Sequence, residues 1–577
     1  MTTRNAMRSR CLTTGLRPLA AMLLCLGLTA CLWAALRGEA SGFQAVDPPA
    51  ATEAATAGEP SVSPTAAGGK TFNERFAEQP WMLRLDGFFR DWLVSPIESV
   101  LMVDLSFGTL KDEGGLGPTI PFVVIWLLIA GVYLTLRMRF INLRGFAHAI
   151  QLVRGRYDDP SEPGEVTHFQ ALSSALSATV GLGNIGGVAL AIGLGGPGAT
   201  FWMILIGILG MTTKFAECTL ALMYRQVDAH GKVLGGPMRY LDVGLRSMGI
   251  PVLGSVLSVV FAVLCVGASF GGGNAYQIGQ SLGVLQEAEG LEFLRDYPYI
   301  YGIVMAALVG LVIVGGIRSI GAVTSKIVPL MCLAYMAITL YIIGSNYAVV
   351  PAAISRILAD AFNWRAAGVG SLIAVMIYGI QRAVFSNEAG VGSAAIAHSA
   401  AKTDEPVSEG IVALLEPFID TVIVCTLTAL AIVVTGVFET AEGRLLAENR
   451  NGAALTRLAF IAGGQEWFAY VLYACVILFA YSTCISWSYY GERSFVSLFG
   501  ERSSPVFKAM FLLFTVLGSI VSKGNVLDFS DYMLLAMSVP NLIGVYLMSG
   551  LVARELGDYW QRYKAGDLEP TAKYSGD

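Results

Sequence analysis

Charge is scarce in this chain. Only 14% of its 577 residues are Asp, Glu, Lys or Arg, against about 25% in soluble domains. That shortfall excludes an ordinary water-soluble globular protein. Histidine is scarcer still, with four residues scattered along the chain, so a histidine-built metal centre has little to draw on. The nine cysteines form no Cys-x-x-Cys pair and no Cys/His cluster. Three lie near the N-terminus and six in apolar stretches, where they read as small apolar filler. A formal net charge of −5 offers no basic surface for nucleic acid. Ten-residue runs of alternating hydrophobicity, the mark of a membrane barrel, are also missing.

What remains is apolar: 54% of the residues are hydrophobic. Nine apolar stretches of roughly 18 residues or more stand out, and two more are interrupted by glycine. Each is long enough to cross a ~30 Å hydrocarbon core as a helix. The expected segments are 119–138, 169–193, 199–223, 251–284, 299–317, 324–345, 367–400, 410–436, 466–490, 506–522 and 529–552. The fold class is therefore an all-α polytopic membrane protein with about eleven transmembrane helices, in a core of 119–555.

The flanks read differently. Residues 1–39 hold a basic start and an apolar run, Pro18 to Leu36, like a secretory signal or an anchor. Leu28 to Cys31, "LTAC", resembles a lipoprotein cleavage box; simple cleavage and an uncleaved anchor are the other readings. Residues 40–70 are rich in Ala, Pro, Ser, Thr and Gly and read as a disordered linker outside the cytoplasm. Residues 71–118 form an amphipathic, interfacial segment with Trp81, Phe88, Phe89 and Trp92. Residues 556–577 make a tail.

Loop charge sets the orientation. Arg137, Arg139, Arg144, Arg154 and Arg156 follow the first segment, and Arg225, Lys232, Arg239 and Arg246 precede the fourth. Both loops are expected in the cytoplasm. Glu287, Glu289, Glu292 and Asp296 follow the fourth segment, which places that loop outside. The N-terminal segment then lies outside and the C-terminal tail inside, as a secretory signal requires. A bacterial cytoplasmic (inner) membrane is the expected home.

Two segments break their own pattern. The second reads "LSSALSATVGLGNIGGVALAIGLGGPG" and the seventh "YGIQRAVFSNEAGVGSAAIAHSAA". They open two successive blocks of five segments, and an odd number forces the blocks into opposite orientation. Paired discontinuous helices in an inverted repeat point to a substrate site at the midplane. Unwound backbone is tolerated in a membrane only where it lines a polar cavity. There, freed N–H groups suit a carboxylate, and freed carbonyls suit a hard cation. Close packing of small residues between helices is the competing account.

These motifs carry a resemblance. "FSNEAGVGSAAIAHSAAKTDEPVSEG", "LSATVGLGNIGGVALAIGLGGPGATFWM" with "GMTTKFAECTLA", and "FAYSTCISWSYYGER" occur in order. They resemble the alanine or glycine:cation symporter family, over roughly residues 90–555; residues 1–70 depart from its usual pattern. The resemblance implies a leucine-transporter-like fold of five plus five helices, and carriage of small neutral amino acids with Na⁺. It implies that N–H groups around Leu182 and Gly183, in "VGLGN" (Val180 to Asn184), hold a substrate carboxylate beside Thr179. Carbonyls of Ser177, Val180 and Phe479 and hydroxyls of Ser482 and Thr483 would face a sodium ion. For the hydroxyls, bonding to a carbonyl of their own helix is the alternative. Trp487, one turn from Thr483, would wall the pocket, with packing alone the competing reading. Asn387 in the second break, Gln277 with its face neighbour Asn274, and Phe270 complete the candidates.

Several charges lie inside apolar segments: Lys214 with Glu217, Glu416 with Asp420, and Arg382 with Glu388 around the second break. They read as a structural ion-pair network or as gating and proton-coupling groups. The leading expectation is a Na⁺-coupled symporter of alanine, with glycine or serine plausible, no bound cofactor, and partners limited to amino acid, Na⁺ and lipid. H⁺ coupling, a glutamine preference, and an amino-acid sensor of the same fold are the alternatives. An enzyme lacks support: no nucleophile elbow, phosphate loop or metal cluster is legible.

Overall fold

The computed structural model describes residues 76, 79–80, 87, 89–105, 120–159, 161–228, 231–362, 369–521 and 525–568. The signal-like segment, the "LTAC" box, the linker, Trp81 and Phe88 lie outside these.

The described chain is all-α, apart from a short antiparallel pairing of Gln226–Val227 with Val233–Leu234. α1 is Phe122–Arg137, and a peripheral α2, Phe146–Val153, follows. The first broken element comprises α3, His168–Thr179, and α4, Val188–Gly195. Its halves meet at 52°. Thr167 caps α3 in a reciprocal box with Gln170, satisfying two otherwise open backbone donors. α5, Ala199–Met223, runs through the centre and packs on α1.

α6, Pro251–Phe270, passes through a π-turn, Gly271–Ala275, into α7, Tyr276–Leu285. α8, Pro298–Ile313, and α9, Gly316–Ser345, follow. The second broken element is α10, Val369–Asn387, with α11, Ala394–His398. Between them Glu388 (φ 54°), Gly390 (φ 91°) and Gly392 (φ 87°) adopt left-handed backbone. Glycine takes that conformation freely and a glutamate does not, so the surroundings of Glu388 hold it there.

α12, Pro406–Ala413, leads through a π-turn, Phe418–Cys425, to α13, Thr426–Thr435. α14, Gly452–Gly463, α15, Phe468–Phe499, α16, Ser504–Ile520, and α17, Asn525–Ala565, complete the bundle. Pro251, Pro298 and Pro406 each sit in a first turn, where a missing N–H is harmless.

Each expected membrane segment contains helix over most of its described residues. Among the described residues, seven continuous helices are long and apolar enough to cross a membrane, eight with the bent α3–α4 pair. Helices α1 and α8 are shorter, at 16 residues each. Several features differ from expectation: α9 begins at Gly316 rather than 324, α15 ends at Phe499 rather than 490, and a 12-residue helix forms at Val350–Ala361. α17 runs on to Ala565, beyond the expected end at 552, as one continuous helix with Pro540 inside it. α14 was not anticipated; its 12 residues are too few for a membrane-length signal.

The core lies where α3 meets α9 and α15, where α5 meets α10 and α12, and where α6 meets α15 and α17. Both breaks therefore sit inside protein, as unwound backbone in a membrane requires.

Candidate functional site

The first break is held from three sides. The Gly181 N–H donates to Asn184 Oδ1 at 2.9 Å, and the Leu182 N–H points to Gln277 Oε1 at 3.4 Å. The unanticipated α14 props the far side: Thr456 Oγ1 donates to the Ile185 carbonyl at 3.0 Å.

Helix α15 closes on α3 through hydroxyls. Thr483 Oγ1 donates to the Ser177 carbonyl at 3.1 Å, and Ser177 Oγ donates to the Ser482 carbonyl at 2.6 Å. Ser482 Oγ donates to the Phe479 carbonyl at 3.1 Å. Ser177, Phe479, Ser482 and Thr483 are all buried, as is Val180 at the end of α3. Of the two hydroxyls, only Ser482 bonds its own helix; Thr483 reaches across. The arrangement gathers hydroxyl and carbonyl oxygens with no charged side chain among them, a donor set suited to a hard monovalent cation.

Beside this cluster lies a cavity of about 50 Å³. Thr179, Gly183, Gln277 and Trp487 line it, as do Tyr276, Arg382, Phe385 and Glu388. Trp487 Nε1 donates to Glu388 Oε1 at 3.1 Å, while Ser393 Oγ donates to the other carboxylate oxygen. The indole is placed by a glycine: a Cβ at Gly273, in the π-turn, would stand 2.3 Å from Trp487 Cβ. Gln277 Nε2 donates to the Gly272 carbonyl at 3.0 Å, so the same turn orients the amide.

Other expected site residues lie elsewhere. Asn184 Nδ2 donates to Asp420 Oδ1 at 2.6 Å and Ser386 Oγ at 3.0 Å. Asn387 Nδ2 donates to Thr421 Oγ1 at 3.0 Å, and its oxygen accepts the Ala389 N–H at 2.9 Å. Both amides are fully buried and tie the breaks to the π-turn 418–425. Phe270 stacks on Phe514 with ring centres 4.6 Å apart and packs against Phe507. Neither these three nor Leu182 is among the cavity-lining residues. Asn274 donates to the Phe511 carbonyl at 2.8 Å. Conversely, Glu388 and Arg382 were visible only as charges flanking a break, and Tyr276 and Phe385 carried no signal of their own.

Residues 116–574 match the model of the sodium:alanine symporter family. The chain belongs to that family. Among similar sequences, the sodium/alanine symporter AgcS of Methanococcus maripaludis is 40% identical over 440 residues, 75% of this chain and 93% of that protein. The probable sodium/glutamine symporter GlnT of Bacillus subtilis is 32% identical, over 77% of this chain and 89% of its own length. The putative sodium/proton-dependent alanine carrier protein YrbD of Bacillus subtilis is 31% identical, over 78% and 91%. Among solved structures, MhsT in complex with L-phenylalanine aligns at a TM-score of 0.43 and 17% identity, over 67% of this chain and 88% of that one. As a member of the sodium:alanine symporter family, the chain is a multi-pass membrane transporter.

Proposed function

We propose that this sodium:alanine symporter family member carries L-alanine into the cell together with Na⁺, with glycine or serine as further substrates. The observation that carries the reading is the junction of α3 and α15. Oxygens of Ser177, Phe479, Ser482 and Thr483, with Val180 alongside, hold Na⁺. The cavity next to it holds the amino acid. Its size supports a small substrate: an engineered protein cavity of about 150 Å³ takes up benzene, three times the volume found here. Its charges support a zwitterion, with Glu388 for the ammonium, and Arg382 and the backbone around Gly183 for the carboxylate. Thr179, Gln277 and Trp487 shape the walls. Opposite rocking of the two repeats exposes the site to each side in turn. The arginine-rich loops after α1 support a cytoplasmic C-terminus and a bacterial inner-membrane location.

The test is uptake of labelled L-alanine by liposomes containing the purified chain. An inward Na⁺ gradient, an inward H⁺ gradient and no gradient are compared. Accumulation with Na⁺ alone supports the reading. Accumulation with H⁺ alone moves coupling to the buried carboxylates, and binding without uptake favours a sensor. A preference for glutamine over alanine would overturn the small-cavity argument.

A further inference from the structure

A chain of ionisable side chains lies outside the cavity, at the arginine-rich end of the bundle. Lys214 Nζ pairs with Glu416 Oε1 at 2.9 Å, and Glu416 Oε2 stands 3.6 Å from His398 Nε2. His398 Nδ1 meets Glu409 Oε1 at 2.5 Å, and the other Glu409 oxygen meets His168 Nδ1. His168 Nε2 stands 3.8 Å from Asp158 Oδ1. His168 opens α3, and His398 closes α11. One carboxylate on α12 thus ties together the ends of both broken helices.

The chemistry of that tie is constrained. A carboxylate only accepts hydrogen bonds, so both rings must present Nδ1–H to Glu409. A neutral imidazole then has a bare lone pair at Nε2. On each ring that lone pair faces a carboxylate oxygen. His398 Nε2, Glu416 Oε2 and Asp158 Oδ1 are buried atoms with no hydrogen-bond partner. Two lone pairs face to face repel; a proton between them turns the contact into an ion pair. Charge counting agrees. Lys214 offsets one of the three carboxylates, leaving two negative charges for the two rings. The surrounding charges add no further cation in balance: Arg225 faces Glu409, Asp404 and Glu162, and Glu162 also faces His168. Glu217 and Glu388 face Lys214. The neutral Cys218 and Tyr490 border the cluster near Glu416.

We propose that His168, Glu409 and His398 form a proton-binding clamp that holds the start of α3 and the end of α11 together. It holds a proton on each ring while the ends of the broken helices are together and releases at least one when they part. The inference takes from the transport reading only that these ends separate during the cycle. The same end carries pH-insensitive ties. The Glu165 N–H bonds the Ala400 carbonyl and the Lys402 N–H bonds the Val166 carbonyl, each at 2.8 Å. Arg225 holds the carbonyls of Ser399 at 3.0 Å and Pro163 at 2.8 Å. Those backbone bonds break only if the ends part, so they report on the clamp.

The experiment is deuterium exchange of the full-length protein in detergent between pH 6 and pH 9, at fixed Na⁺ and without amino acid. Rates are corrected for the intrinsic pH dependence of amide exchange. Peptides covering 163–168 and 399–404 are expected to exchange faster as pH rises, by up to about tenfold per pH unit for each proton released. Peptides within α6 stay protected. His168→Gln and His398→Gln should each flatten the slope, and Glu409→Gln should exchange at the high-pH rate throughout. A flat wild-type profile overturns the clamp, as does an unchanged slope in both histidine variants. Should one variant also lose protection in α6, it has unfolded, and the wild-type slope with the other variant decides. No transport is measured, so failure of alanine uptake and failure of the clamp remain distinguishable.

Discussion

Thr483 donates across a helix junction while its neighbour Ser482 donates back to its own helix. Both oxygens keep their lone pairs for an ion, but only Thr483 also links α15 to α3 at that site. Replacing Thr483 by valine keeps the shape and removes the oxygen. Losing one partner of a buried polar contact costs about 1–3 kcal/mol. The Na⁺ concentration for half-maximal alanine uptake should therefore rise by about tenfold or more, read from initial rates at graded Na⁺. Unchanged Na⁺ dependence would remove Thr483 from the ion site. A second residue-scale expectation concerns Gly273. A methyl there meets Trp487 Cβ at 2.3 Å, and neither atom lies at the end of a flexible chain. Such overpacking costs about 1–3 kcal/mol. Gly273→Ala should displace the indole from Glu388 and weaken alanine binding by about tenfold or more, measured by titration of the purified protein. Gly283→Ala, where a Cβ has open space within 4 Å, serves as the control. The hydroxyl pair was legible because two oxygens in an apolar helix demand an explanation. The destinations of Asn184 and Asn387 were not. A membrane amide announces that it needs partners, but Asp420 and Thr421 come from a distant segment, and only the fold supplies them.

Helix α2 shows the same limit one scale up. Nothing in "FAHAIQLV" says what covers its apolar face. In the structure α12 packs on it, and α17 reaches its histidine: Tyr559 O–H donates to His148 Nε2 at 2.7 Å, and the Tyr563 ring lies 3.9 Å from the imidazole. Burial pushes the His148 imidazole down to about 4, so it is neutral in the folded protein at pH 7. The unfolded side chain titrates near 6.5, at about the ordinary histidine value. Between those values the unfolded state binds more protons, and stability rises with pH. The contribution is complete above about 6.5 and is lost as pH falls toward 4. Docking of α2 on α17 should loosen between pH 7 and pH 5, seen as faster corrected deuterium exchange in peptides covering 146–153 and 555–565. His148→Gln should remove most of that pH dependence. The long helices were legible because each needs about 20 apolar residues, but where α9 begins and where α15 and α17 end was not, because those turns carry polar residues past the apolar run. The π-turn 271–275 was not, since "GGG" reads as a loose break rather than as a seat for an indole. Nor was α14, whose role in propping the first break emerges only from its contact with Ile185.

For the whole molecule, the number of ion sites sets the work it can do. Under the proposed reading the buried carbonyl and hydroxyl oxygens at the α3–α15 junction hold one Na⁺ per amino acid. One charge crossing ~150 mV releases about 3.5 kcal/mol, and a tenfold Na⁺ gradient adds about 1.4 kcal/mol. A coupled carrier with that stoichiometry concentrates its substrate several-thousand-fold at most. The two contributions separate experimentally. With the membrane potential held at zero by valinomycin in symmetric K⁺, a tenfold Na⁺ gradient should drive alanine to about tenfold accumulation and no further. Restoring ~60 mV, negative inside, should multiply that ceiling by about ten, because one net charge moves with each zwitterion. A ceiling near a hundredfold at zero potential would reveal a second Na⁺, and the oxygen cluster at Thr483 would then be only half of the coupling machinery. A ceiling indifferent to potential would mean that a compensating charge travels the other way. The protons held between His168, Glu409 and His398 would be the first candidates for it.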